Sequence, residues 1–204
     1  MTALFSTAYF PPIAYMSAML RCNAAMIEAK ETFPKQTYRN RMEIMTAEGV
    51  RTLSVPTIRS NHSRTDEVGI DYKERWDIIH LRTIEAAYAA SPYYEYYRDD
   101  LKALLTAHHV RLMDLNAAIL EWLLTRLKKP LDMTPTTDFR PIGDNDENDY
   151  RYRFTPKKPL EKTSFAPYYQ VFGDRQPFAP NLSILDLLMN LGPEAREYLT
   201  TKVS

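Results

Sequence analysis

Thr2-Ala3-Leu4-Phe5-Ser6-Thr7, then Pro11-Pro12, then a mostly apolar run over 13–22, then Ala24-Ala25-Met26-Ile27-Glu28-Ala29: these residues decide the fold. The first and last pieces are short and bounded by turn formers, as strands are. Pro at the opening of the middle run suits the first turn of a helix, where its missing N–H removes no bond. Strand, helix and strand in that order favour a parallel pair with a right-handed crossover. An α/β fold follows, and what lies downstream must complete the sheet or cover it.

Two β-like runs come next, 40–46 and 50–55, with Ala47-Glu48-Gly49 between them. The linker has hairpin length and contains Gly. Residues 61–70 read as loop. Three helices follow. Trp76, His80, Ile84 and Ala87 mark one face of a helix over 73–90, which Ser91-Pro92 ends. A second covers 93–107. A third starts near Asp114, a good N-cap, with Leu115, Ile119, Trp122, Leu123 and Arg126 on its face and Lys128 and Lys129 at its C-terminus. Residues 132–137 suit a further strand. The polar stretch 138–163 reads as a mobile loop, in which Tyr150-Arg151-Tyr152-Arg153-Phe154 alternates as one edge strand would. Asn181 or Ser183 caps a helix over 184–190, and Gly192-Pro193 separates it from a last one over 194–202. The expectation is a single domain over 1–204: a mixed sheet built on the N-terminal strand–helix–strand unit and a hairpin, followed by a helical half.

Composition excludes several function classes. The 204 residues carry 26 basic and 26 acidic side chains, so no net positive field points to nucleic acid. Cys22 is the one cysteine, which rules out an internal disulfide and favours a reducing compartment. The N-terminus lacks the basic and apolar regions of a secretory signal, and no apolar run is long enough for a membrane span. Cytoplasm is the expected location. Neither GxxxxGK[ST] nor GxGxxG occurs, so neither a P-loop nor a standard dinucleotide site is present.

Chemistry concentrates in Lys35-Gln36-Thr37-Tyr38-Arg39-Asn40-Arg41, just before the hairpin. Arg pairs bidentately with phosphate or carboxylate, Lys supplies a point charge, and Tyr and Asn orient polar ligands. The alternative is a solvated basic loop paired with Glu28, Glu31 or Glu43. Tyr9 and Phe10 follow the first strand, where ligands of α/β sheets bind; they either stack on a ligand or pack the crossover. His62, His80, His108 and His109 match no HExxH or zinc-ribbon spacing, so no metal site is expected. His80, on an apolar face, is either a core histidine or a general acid–base group at a cleft.

The ordered pieces resemble the WbqC-like family. They are Tyr9-Phe10-Pro11; Glu28-Ala29-Lys30-Glu31-Thr32-Phe33-Pro34-Lys35; Tyr38-Arg39-Asn40-Arg41; Leu53-Ser54-Val55-Pro56; Trp76 with His80; Ala87-Tyr88 and Ser91-Pro92-Tyr93-Tyr94; Tyr169-Gln170-Val171-Phe172; and Asn181-Leu182-Ser183-Ile184-Leu185-Asp186-Leu187-Leu188. Lys35, Asn40, Arg41, Trp76 and His80 match recurring family positions. Phe33 stands where relatives often carry Tyr, and Glu28 and Glu31 are the nearest acids to a paired aspartate that many relatives have. The resemblance implies polysaccharide or O-antigen synthesis, with transfer of an acyl or aminoacyl group to an amino sugar. His80 and Lys35 would then be catalytic, with His80 taking a proton from the attacking amine. Tyr9, Tyr38, Asn40, Arg41 and Trp76 would bind substrate, Arg41 and Lys35 holding phosphate or carboxylate. The partner is a small molecule, with a sugar nucleotide as one form. The cofactor and a homo-oligomer both stay open. The alternative function is a non-catalytic binding module for a phosphorylated or sugar ligand.

Overall fold

The computed structural model describes residues 2–141, 148–157, 160 and 163–203. β1 (Thr2–Ser6) and β2 (Ala24–Glu28) pair in parallel, Thr2 opposite Ala24 and Ser6 opposite Glu28. The crossover is α1 (Ile13–Leu20). Ala3, Leu4 and Phe5 are all buried, as befits a parallel strand covered on both faces. α1 is buried almost all round because α5 and α6 pack against it. Its first turn is satisfied from far along the chain. Asn181 Oδ1 accepts the Ala14 N–H at 2.9 Å, and the Leu182 carbonyl accepts that of Ile13 at 3.0 Å. Asn181, one of two expected caps for a later helix, thus serves the first helix.

β3 (Arg41–Thr46) and β4 (Gly49–Ser54) form the expected hairpin, with Met42, Ile44 and Leu53 inward and Gly49 at φ +106° closing the turn. β5 (Thr57–Ile58) and β6 (Gly69–Ile70) make a short antiparallel pair. The three helices then appear as α2 (Trp76–Tyr88), α3 (Tyr94–Leu105) and α4 (Leu112–Arg126). α4 starts before Asp114 because the Val68 carbonyl already holds the Leu112 N–H at 2.9 Å; Asp114 accepts from Arg111 Nε instead of capping. β7 (Asp132–Pro135) returns to the far side of β2, also parallel, giving the order β1-β2-β7.

α5 (Ile184–Leu191) is capped by Ser183, whose Oγ accepts the Leu185 N–H, and α6 (Ala195–Thr201) follows. Between them Gly192 lies at φ +53°, where a Cβ would come within 2.4 Å of the Tyr93 ring. The mixed α/β class is as expected from the sequence. The edge strand over 150–154 is not. Leu4 bridges Asp149 and accepts the Tyr150 N–H at 2.7 Å, after which 151–153 turn. The physical reason is Arg151: its side chain is drawn inside by acids rather than alternating outward. Of the expected loop, 142–147, 158–159 and 161–162 lie outside the described residues. Among the described residues no helix is long and apolar enough to cross a membrane.

Candidate functional site

The carboxyl ends of β1, β2 and β7 open onto a cavity of about 620 Å³, whose opposite wall is α4. Open α/β sheets bind ligands at such ends, because the strands stop there and the connections diverge. Thr7 and Ala8 follow β1, Ala29 and Lys30 follow β2, and Thr136 follows β7; Asp66 and Asn116 face them.

Below these side chains lies a buried charge network. Thr136 Oγ1 accepts the Ala29 N–H at 3.0 Å and donates to Glu28 Oε1 at 2.8 Å, which also accepts the Lys30 N–H. Arg151 donates to Glu28 Oε2 at 2.8 Å and grips Asp149 with Nε and a terminal nitrogen. Arg39 holds Glu31 bidentately at 2.7 and 2.9 Å, and the Tyr152 hydroxyl donates to the same carboxylate at 2.7 Å. Burial pushes the Asp149 carboxyl up, but the hydrogen bonds and charge of Arg151 overcome it and leave its pKa below the usual value. Arg151 is raised in return, first by those hydrogen bonds. The Tyr152 hydroxyl is raised by burial and by Glu31.

Asn116 joins this network to the cavity. Its Nδ2 donates to Thr7 Oγ1 at 3.0 Å and to the Arg39 carbonyl at 2.8 Å. A carbonyl can only accept, so the amide orientation is fixed. Asn116 Oδ1 then has no hydrogen-bond partner among the described residues. Asp66 Oδ1 accepts no hydrogen bond either, but Asp66 is paired with two cations, Lys30 Nζ at 2.7 Å from Oδ2 and Arg64 Nε at 3.5 Å from Oδ1. A buried acceptor left unpaired costs about 1–3 kcal/mol. The cavity wall also carries Asp114, Glu121 and Asp132 beside Asp66, against Lys30 and Arg111. Its excess is in acceptors and negative charge. Among the described residues no group of His, Cys, Asp and Glu could hold a metal ion.

The structure brings three of the sequence-selected residues together elsewhere. Tyr9, Trp76 and His80 are buried in one cluster; His80 Nδ1 lies 2.9 Å from the Tyr9 hydroxyl, and the Trp76 ring stands edge-on to both. Either group of this pair can donate, according to the histidine tautomer. Burial depresses the His80 pKa to about 4, against the opposing pull of the Ser54 backbone and of Asp77. Burial also raises the Tyr9 hydroxyl. Tyr38 donates to Glu43 at 2.9 Å and Asn40 to the Val55 carbonyl at 2.9 Å. Arg41 is half-buried, its Nε has no partner, and no ion pair holds it among the described residues; Lys35 is exposed. None of these seven lines the cavity, though Tyr9 directly follows Ala8, which does.

The cavity residues were legible only in part. The rule that pointed to Tyr9 points equally to Lys30 and Thr136, each just past a strand. Asn116 carries a signal too, as an amide beside Leu112, Leu115 and Ile119 on a buried face.

A sequence model of the WbqC-like protein family matches residues 7–155 and 157–198 of this chain. The chain belongs to the WbqC-like protein family. The match takes in every element that forms the cavity except β1 itself. Uncharacterized protein Rv1507c of Mycobacterium tuberculosis is 24% identical over 226 residues, covering 97% of this chain and 96% of the relative. No solved structure matches.

Proposed function

We propose that this WbqC-like protein is a transferase that adds an acyl or aminoacyl group to an amino sugar in polysaccharide biosynthesis, with the sugar held in the cavity at the carboxyl edge of the sheet. The observation that supports the reading is the wall's excess of carboxylates over cations: a polyol amine brings N–H and O–H donors to match it. In this reaction the sugar nitrogen attacks the acyl carbonyl, the amide bond forms, the leaving group departs and the nitrogen sheds a proton. Arg41 and Lys35, both without an ion-pair partner among the described residues, serve the phosphate or carboxylate of a donor or nucleotide carrier. His80, neutral as a base must be, is the proposed proton acceptor; its partner Tyr9 is the residue after Ala8 of the cavity wall, and Tyr38, Asn40 and Trp76 would contact substrate from outside that wall.

The test is to incubate the purified protein with UDP- or dTDP-linked amino sugars and activated acyl donors and to look for N-acylated product by mass spectrometry. Product is expected. Absence of turnover, together with no thermal shift from either class, overturns the reading. A non-catalytic binding module is favoured by one observation: His80 has almost no exposed surface. Under that alternative, His80→Ala keeps cellular function and Arg41→Ala loses it.

A further inference from the structure

A second compartment, of about 370 Å³, adjoins the cavity and shares Glu121, Leu131 and Met133 with it. We infer that this compartment binds an amphipathic anion, an apolar chain ending in an anionic head, with Lys128 and Lys129 holding the head and Leu124, Leu131 and Met133 the chain. The inference goes beyond the transferase reading and does not depend on it.

The compartment is polarised along α4. Glu121, Thr125 and Lys128 line it from one side of the helix and its end, with Glu121 and Lys128 about 10 Å apart along the axis. Apart from Lys129 the rest of the lining is apolar: the buried Leu124, then Pro130, Leu131 and Met133 from the chain entering β7. At the lysine end the charge is uncompensated. Lys128 is exposed and Lys129 half-buried, and neither makes an ion pair among the described residues. Arg196 donates to the Lys128 carbonyl at 2.9 Å and likewise has no ion pair among them. The helix end does not account for these cations. The carbonyls of Leu123, Leu124 and Thr125 already accept the backbone N–H groups of Leu127, Lys129 and Lys128, so no lysine side chain is needed to cap them. The helix dipole amounts to about half a charge, against three cations. Lys128, at φ +51°, turns the chain out of α4 and leaves both lysines on the compartment wall. An apolar lining alone suits any hydrocarbon, and cations alone suit any anion. Together they select an amphiphile, with its head at the lysines and its chain running toward Leu131 and Met133, where the cavity begins. Glu121, at that far end, repels a head placed the other way round.

The experiment is a chemical-shift titration of the full chain with octyl phosphate, butyl phosphate, inorganic phosphate and octanol, followed at the backbone amides from Leu124 to Met133. Octyl phosphate should bind about tenfold more tightly than octanol, the equivalent of one charged hydrogen bond. Each methylene added between butyl and octyl phosphate should tighten binding by up to about fourfold. The double variant Lys128→Gln with Lys129→Gln removes both charges and should bring octyl phosphate level with octanol. Leu131→Asn should flatten the dependence on chain length and leave inorganic phosphate unchanged. Circular dichroism reports whether each variant folds, and the lysine variant decides the matter should Leu131→Asn unfold. Inorganic phosphate or octanol binding as tightly as octyl phosphate, no titration by any probe, or a folded lysine variant that keeps the preference overturns the inference. So does binding to phosphatidylglycerol vesicles without a response to octyl phosphate, which would assign the cations to a bilayer surface. Octyl phosphate binding with no N-acylated product would sink the transferase reading and leave this one standing. Product with no response to octyl phosphate would do the reverse.

Discussion

Two clusters of buried acid are neutralised by different means. Under the cavity, Glu28, Glu31 and Asp149 face the guanidinium groups of Arg39 and Arg151. Within α5, Asp186 is as buried as Glu28 but meets no cation among the described residues. Tyr88 donates to its Oδ1 at 3.0 Å, and Tyr168 and Gln170 donate to its Oδ2 at 2.5 and 3.0 Å. Burial raises the Asp186 pKa, and those three hydrogen bonds only partly oppose it. The first cluster is an ionic scaffold that holds the strand ends where the cavity begins. The second is a hydrogen-bonded staple: Gln170 also exchanges bonds with both backbone groups of Ala179, tying the chain before α5 to the helix. Equal burial therefore does not imply equal charge, and the two clusters should break differently.

The largest effect is expected where a charge loses its opposite. Arg39→Met leaves Glu31 buried with Tyr152 as its remaining side-chain donor, and should cost about 3–5 kcal/mol in urea unfolding. The double variant Arg39→Met with Glu31→Gln should recover a large part of that loss, since the stranded charge goes with its partner. Equal losses from single and double variants would mean that packing of the guanidinium, not charge, is what the scaffold supplies.

Titration separates the clusters by sign. His80 has a folded pKa of about 4, below the ordinary value of 6.5, so the unfolded chain binds the proton first. Stability is full above about pH 6.5 and falls as pH drops toward 4, by up to about 3 kcal/mol from this residue. Asp149, also depressed, adds stability that is lost as pH falls through its lowered pKa. Asp186 works in the other direction. Its raised pKa means the folded state keeps the proton longer, so its contribution declines as pH rises from the usual carboxylate range through the raised value. Melting between pH 4 and 8 should show a net rise with pH that His80→Leu flattens and Asp186→Asn steepens. A flatter profile in Asp186→Asn would place a charged carboxylate in the second cluster and end the contrast.

A single neutral bond is worth less. Tyr168→Phe removes the hydroxyl donor to Asp186 while keeping the ring against Phe178 and Tyr198, and should cost about 1–2 kcal/mol in the same unfolding assay. A loss as large as that of Arg39→Met would show the staple to be as charge-dependent as the scaffold.

Neither cluster stood out in the sequence, and the reason is common to both. Strand–helix–strand order, hairpin and helices are local patterns, and Thr2–Ser6, Ile13–Leu20 and Ala24–Glu28 lie within a residue or two of where apolar periodicity puts them. Partner choice is not local. Glu28 meets Arg151 and Asp186 meets Tyr88 across about half the chain. Arg151 was hidden because Tyr150 to Phe154 alternates like a strand; a guanidinium pulled inward by two acids defeats that pattern. Asn116 reads as an ordinary polar residue until Thr7 and the Arg39 carbonyl close around its nitrogen. Arg39 stands in one basic stretch with Lys35 and Arg41, for which the sequence offers Glu28, Glu31 or Glu43 as partners; Glu31, eight residues earlier, is the one that takes Arg39 out of solvent.

The smallest expected effect makes that last point sharp. Lys35 and Arg39 are four residues apart and carry the same charge, yet one is exposed and the other is 2% exposed inside the scaffold. Lys35→Ala removes no buried contact and no ion pair recorded among the described residues, so unfolding should change by less than about 0.5 kcal/mol and Tm by less than about 2 °C. That near-silence is useful. A residue with no part in stability reports on function cleanly, so a drop in product formation by Lys35→Ala at unchanged Tm would assign the lysine to the ligand. A Tm loss approaching that of Arg39→Met would instead mean that Lys35 has joined the buried network. The division of this stretch into one scaffold arginine and one free lysine would then fail.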